Sequence, residues 1–162
     1  MKLSKTWLAA LLAAATTAAG AQDTSIPGTL SVDQQPSGWT VTLEDAQPGA
    51  PTFLFIGLPN PSGATFLLDL GFYGSLGMDI AYPDAVVELG VAGGDGLISA
   101  FFSRPASLPP ELIGFTLALQ AVEVTWELFL PPIPGGGATD AAGPYHVRMT
   151  YRKSTVAELV VQ

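Results

Sequence analysis

The sequence predicts an all-β fold, an antiparallel β-sandwich of about eight or nine short strands, entered through an N-terminal leader that is removed on export. Three observations predict it. Glycine and proline, 18 and 14 in the chain, divide it into short runs rich in β-branched, aromatic and leucine residues. Several of those runs alternate apolar and polar residues, the rhythm of a strand with one buried face. No stretch beyond the leader sustains the periodicity of an amphipathic helix.

The leader comes first in the chain. Lys2 and Lys5 supply a positive start, Trp7 to Ala15 an apolar stretch too short to anchor in a bilayer, and Ala19-Gly20-Ala21 the small residues that cleavage requires. Residues 1–21 are therefore expected to leave as a signal peptide, making residues 22–162 a single domain that begins at Gln22. No cysteine follows the cleavage point to carry a lipid, so the product is expected in the periplasm or outside the cell without a membrane anchor.

Trp39, Val41 and Leu43 alternate with Thr40, Thr42 and Glu44, the first clear half-buried strand. Thr52 to Leu58, Ala64 to Leu70, Val86 to Val91, Leu97 to Ser103 and Leu112 to Leu119 are apolar on both faces and fit central strands. Turn chemistry bounds them at Pro48-Gly49, at 59–63, at Tyr82-Pro83-Asp84, at Gly93-Gly94-Asp95-Gly96 and across 105–110. From Ala121 to Leu130, Val122, Val124, Trp126, Leu128 and Leu130 form an inward face, while Glu123, Thr125, Glu127 and Phe129 form a mostly polar outward one. Residues 145–152 repeat the pattern, and Thr155 to Val161 reads as a last strand. The 131–137 segment, proline-rich and then Gly135-Gly136-Gly137, reads as an inter-strand loop. An outer-membrane barrel is not expected, because its strands run to roughly 9 to 11 residues and these runs are shorter and interrupted by proline.

Six basic residues stand against 14 acidic ones, a formal charge of −8 that becomes −10 once Lys2 and Lys5 leave. Such a chain lacks the clustered Lys and Arg that nucleic acid or an anionic membrane surface demands. The absence of cysteine excludes disulfides, thiol catalysis and thiolate metal sites, so packing alone must hold the domain.

His146, the one histidine, shares a strand face with Arg148 and Arg152, whose charges disfavour both an imidazolium and a bound metal. It reads as a surface residue, and no Gly-x-Ser-x-Gly elbow offers a nucleophile for it to activate. Asp69, Asp79, Asp84, Glu88 and Asp95 fall close together in the chain and include the raw material for a calcium site or a glycosidic acid pair. Asp84 and Asp95 sit in turns, where aspartate serves local hydrogen bonding, and Asp69 and Asp79 sit in strands or at their ends. No catalytic, metal or cofactor residue is assigned. Glu123 and Glu127 on one outward strand face, and Arg148, Arg152 and Lys153 on another, would pair across the sheet if their strands are neighbours. Among the aromatics, Trp126 and Trp39 are in phase with core residues, while Tyr73 and Tyr82 are candidates for an exposed sugar-stacking surface.

Residues 86–121, with a glycine turn, a strand, a proline-rich segment, then Leu112-x-Gly114 and Gln120-Ala121, resemble an uncharacterised β-sandwich module found in large secreted and surface proteins of bacteria. The Gly57-Leu58 strand end is similar too. The resemblance implies fold and compartment only, and the cysteine pair that many such modules carry is missing. The Leu-x-Gly and Gln-Ala positions are expected to mark a bend or bulge splitting 112–130 into two strands, with Gln120 bonded to nearby backbone. The expectation for the whole is an exported, non-enzymatic protein with a structural, adhesive or protein-interaction role, partnered by a protein, a polysaccharide or itself. The alternatives are a carbohydrate- or calcium-binding module and a carboxylate-based glycoside hydrolase.

Overall fold

The computed structural model describes residues 21–22, 28–69, 75–129 and 146–162, with side chains described at all of these but 21–22, 127–129 and 146–148. The expected leader up to its last residue, the 131–137 loop and Tyr73 lie outside the described residues. In chain order the strands are β1 (Ala21–Gln22), β2 (Thr29–Gln35), β3 (Gly38–Glu44), β4 (Pro51–Leu58), β5 (Phe66–Asp69), β6 (Ser75–Met78), β7 (Ala81–Val91), β8 (Ile98–Ser103), β9 (Thr116–Phe129) and β10 (His146–Val160). A 3-10 turn at Pro110–Leu112 precedes β9. The fold is all-β, as expected, with ten strands among the described residues against the expected eight or nine.

The strands form a five-stranded sheet in the order β1-β10-β9-β4-β7, a three-stranded sheet β2-β3-β8 and a β5-β6 hairpin. Every pairing is antiparallel except the short contact of β1 with β10, which is parallel. Two apolar clusters lie on opposite sides of the five-stranded sheet. Leu54, Leu119, Ala121 and Leu159 meet Leu30, Val41, Leu43 and Ile98 of the three-stranded sheet. Phe55, Ala118, Val122, Val124, Met149 and Tyr151 meet Leu76 and Met78 of the hairpin and Ile80 beyond it. Each of the larger aliphatic and phenyl side chains, withdrawn from water, contributes about 1.5 to 3 kcal/mol, and cover on both sides is why β4 and the start of β9 read as apolar on both faces.

That arrangement corrects several expectations. β9 has no outward polar face at Glu123, which is 1 % exposed and accepts the Gln47 N–H of the β3–β4 connection. Residues 116–129 form one strand where two were expected, and the bulge lies in the partner, between Lys153 and Val156 of β10. The bulge also explains why 145–152 and 155–161 look like two strands in the sequence; its extra residues shift the alternation by one. Tyr82-Pro83-Asp84 is the start of β7 rather than a turn between strands. The turn chemistry there is real but local: Tyr82 has φ 47° where the β4–β7 register shifts between Ile56 and Leu58. Gly57 fits this crossing because a Cβ there would strike the Ala81 carbonyl oxygen.

Strands of 11, 14 and 15 residues also remove the length argument against a barrel. Among the described residues the five-stranded sheet ends at β1 and β7. No helix among the described residues is long and apolar enough to cross a membrane.

Candidate functional site

The polar side chains withdrawn from water gather at the β9–β10 seam. Gln120, fully buried on β9, accepts the Asp79 N–H through Oε1 at 2.9 Å and donates through Nε2 to Asp79 Oδ2 at 2.8 Å and to the Ser154 carbonyl at 3.0 Å. Ser154, in the β10 bulge, accepts the Ala121 N–H at 2.9 Å and donates to the Thr155 carbonyl at 2.7 Å. The two side chains thus satisfy the backbone groups that a bulge leaves without ladder partners. Lys153 completes the group with a 2.7 Å contact from Nζ to Asp79 Oδ1. Burial works to raise the Asp79 carboxyl, but the hydrogen bonds from Lys153 and Gln120 and the lysine charge outweigh it, so the group is held below its usual value.

One turn along the same seam, Arg152 lies directly opposite Glu123 in the β9–β10 register, and their side chains pair at 3.3 Å. Arg148 and Glu127 are likewise opposite in the backbone register. The expected matching of acid to base across neighbouring strands is therefore present, but its first member is buried, with the Arg152 and Glu123 side chains 13 % and 2 % exposed. Glu123 Oε1 also accepts the Gln47 N–H, which ties the β3–β4 connection to the sheet. Lys153, grouped with the arginines in the sequence, faces the other way to Asp79.

Two surface depressions flank this framework. An open one of about 530 Å³ is lined by residues 45–48, 94–96 and Arg152. Asp45 and Asp95 both line it together with Arg152, whose positive charge opposes a cation there. Asp95 Oδ1 accepts the Leu97 N–H at 3.2 Å, the local turn bond expected of it. The second depression, about 270 Å³, is lined by Gln34, Gln35, Pro36, Trp39, Arg104 and Gln162.

The five clustered acids do not converge. Asp69 ends β5, Asp79 joins the buried network, Asp84 and Glu88 lie exposed on β7, and only Asp95 lines a depression. Asp84, expected in a turn, is a strand residue. Among the described residues no group of three or more His, Asp or Glu side chains is placed to hold a metal ion. His146 pairs in register with Phe129 at the start of β10, and its side chain lies outside the described residues.

Two aromatic placements are corrected. Trp126, in phase with Val122 and Val124, is 39 % exposed and lies outside the cluster that buries those valines. Trp39 is half-buried, one part packed on the core and another open to the second depression. Tyr82 is exposed as expected, with its ring 5.5 Å from Phe66. Sequence reasoning anticipated the backbone bonds of Gln120 but missed Ser154 and the Lys153–Asp79 pair, which come together only through the bulge. The chain matches no family model, no curated protein and no solved structure.

Proposed function

We propose that this chain is an exported, non-catalytic β-sandwich protein that acts by making contacts, in a structural, adhesive or protein-interaction role. In this reading the three-stranded and five-stranded sheets are the two layers of the sandwich and the β5-β6 hairpin is an additional cover. One contrast carries the proposal. Buried polar groups are committed to holding strands together, whereas Leu67, Tyr82, Ile113 and Phe101 stand 66 %, 62 %, 59 % and 55 % exposed at edges and connections. Apolar surface of this kind is what a contact-making protein offers to partners. Expression of the full chain in a bacterial host tests the reading. The expected result is an exported product beginning at Gln22 that is retained by immobilised cell-surface protein or polysaccharide. A cytoplasmic product still carrying Lys2 and Lys5, or glycoside turnover abolished by Asp→Asn substitution, would overturn it.

A carbohydrate-binding role is the second reading, favoured by the Trp39 depression. An indole face beside Gln34, Gln35 and Arg104 combines a stacking surface with hydrogen-bonding groups suited to a sugar ring. Soluble glycans should then quench fluorescence in the Trp126→Phe protein, which keeps Trp39, and not in Trp39→Phe.

A further inference from the structure

We infer that two copies of this chain join through their β8 strands, antiparallel across a two-fold axis, making one continuous sheet from the two three-stranded sheets. Among the described residues β8 ends its sheet with no hydrogen-bonded neighbour on its outer side. An open edge of this kind is a template for another strand unless charge, proline or a bulge blunts it.

The other sheet ends longer than four residues, β7 and β2, carry such devices. β7 contains Pro83, Asp84 and Glu88, turns at Gly90 with φ 107°, and shifts register twice against β4. β2 lies against β10, where the Leu30 N–H bonds Thr155 Oγ1 at 3.0 Å and Gln34 reaches the Val160 carbonyl. β8, Ile98–Ser103, has no charge, no proline and no glycine.

The backbone fixes which groups are on offer. The Arg104 N–H donates to the Ser37 carbonyl at 2.9 Å, continuing the β3–β8 register, so even-numbered residues turn their polar groups toward β3. By alternation Ser99, Phe101 and Ser103 turn theirs to the open side. The Leu97 N–H, next in that series, is already taken by Asp95 Oδ1, which marks where the open edge begins.

Self-pairing must match residues of like orientation, so its centre falls on a residue and not between two. Centred on Ala100, Ser99 of each copy exchanges both backbone bonds with Phe101 of the other. The exposed Phe101 ring, 55 % accessible in the single chain, then lies diagonal to Leu97 and Phe101 of the second copy, and Leu97 is itself 46 % exposed. The small Ala100 side chains meet at the axis. The ends bring opposite charges near each other: the register sets Arg104 of each copy opposite Gly96 of the other, next to its Asp95, and the guanidinium, which bonds the Gln162 carbonyl in the single chain, exchanges that contact for the carboxylate. β8 itself brings no charge into this seam, so two acidic chains, −8 with residues 1–21 and −10 without them, do not repel there, which is why a second copy fits here.

This inference deepens the contact-making role proposed above and rests on it for its biological meaning. Its test reads self-association alone, so either can fail without the other. Sedimentation of the full chain as exported should show a reversible monomer–dimer equilibrium, weakened about tenfold or more by Phe101→Lys and unchanged by Ser31→Lys on the far strand of the same sheet. The chain has no cysteine, so Ala100→Cys supplies a sole thiol at the axis, where mild oxidation should give a disulfide-linked dimer. A monomer at every concentration, a dimer indifferent to Phe101→Lys, or a folded Ala100→Cys protein that does not cross-link would each overturn the proposal.

Discussion

Glu123 and Arg152 form an ion pair whose worth depends on being intact. Each charge is almost wholly out of water, and the carboxylate also receives the Gln47 N–H. Removing one member strands the other, at a cost of about 3 to 5 kcal/mol, whereas replacing both with apolar residues removes the desolvation together with the attraction. Glu123→Leu and Arg152→Leu alone are therefore expected to lower urea stability by that amount, and the double variant by clearly less than their sum. Additive losses would mean that the two side chains act independently. Asp79 behaves differently, since its side chain is 45 % exposed and solvent screens its contact with Lys153. Its carboxyl is held below the usual value, so its contribution is present above the unfolded value of about 3.9 and fades as pH falls through the folded one. Asp79→Asn should thus be less stable than the native chain near neutrality, with a deficit that shrinks in acid; a deficit constant down to about pH 2 would contradict this. Much of this chemistry was written in the chain, because the Glu and Arg spacings match strand register. Its burial was not, because alternation shows which residues share a face and not what covers that face.

At the scale of elements, the β10 bulge decides how well the sequence can be read. A strand without interruption keeps its alternation, and β3 was legible for that reason: Val41 and Leu43 are buried as their phase requires. β10 breaks phase between Lys153 and Val156, so a single strand of 15 residues reads as two. What makes the bulge tolerable is a pair of side chains from distant positions, Gln120 and Ser154, that take up the backbone groups it frees. Ser154→Ala leaves the buried Ala121 N–H without its acceptor and should cost about 1 to 3 kcal/mol, with no change in the denaturant slope. Where β4 crosses β7, Gly57→Ala forces a methyl against the Ala81 carbonyl and should cost about as much, with Tyr82 and its left-handed backbone shifting first. Thermal melts of the two variants measure both effects, and a neutral Gly57→Ala would show that the crossing has room to open.

For the molecule as a whole, the five-stranded sheet belongs to both apolar clusters. Leu54 of β4 and Leu119 and Ala121 of β9 face one, while Phe55 of β4 and Ala118, Val122 and Val124 of β9 face the other. The sequence could announce a strand-rich chain and mark β4 and the start of β9 as covered on both sides, yet it could not tell which short segments supply the covers. β2 and β6 were missed because each carries too few apolar residues to show a period. A sheet shared in this way leaves neither cluster an independent foundation, so loss of one should bring down the other. Leu43→Ala opens a void on the three-stranded side and Met78→Ala one under the hairpin, both at fully buried sites, and each should cost about 2 to 5 kcal/mol. If the sheet couples the clusters, each variant made in a Trp126→Phe background will still unfold in a single transition, with the fluorescence of Trp39 on the first cluster and far-ultraviolet circular dichroism giving the same midpoint. A Met78→Ala protein whose dichroism changes while the Trp39 signal holds would instead show the hairpin melting away from an intact remainder, and the two clusters would have to be treated as separate folding units.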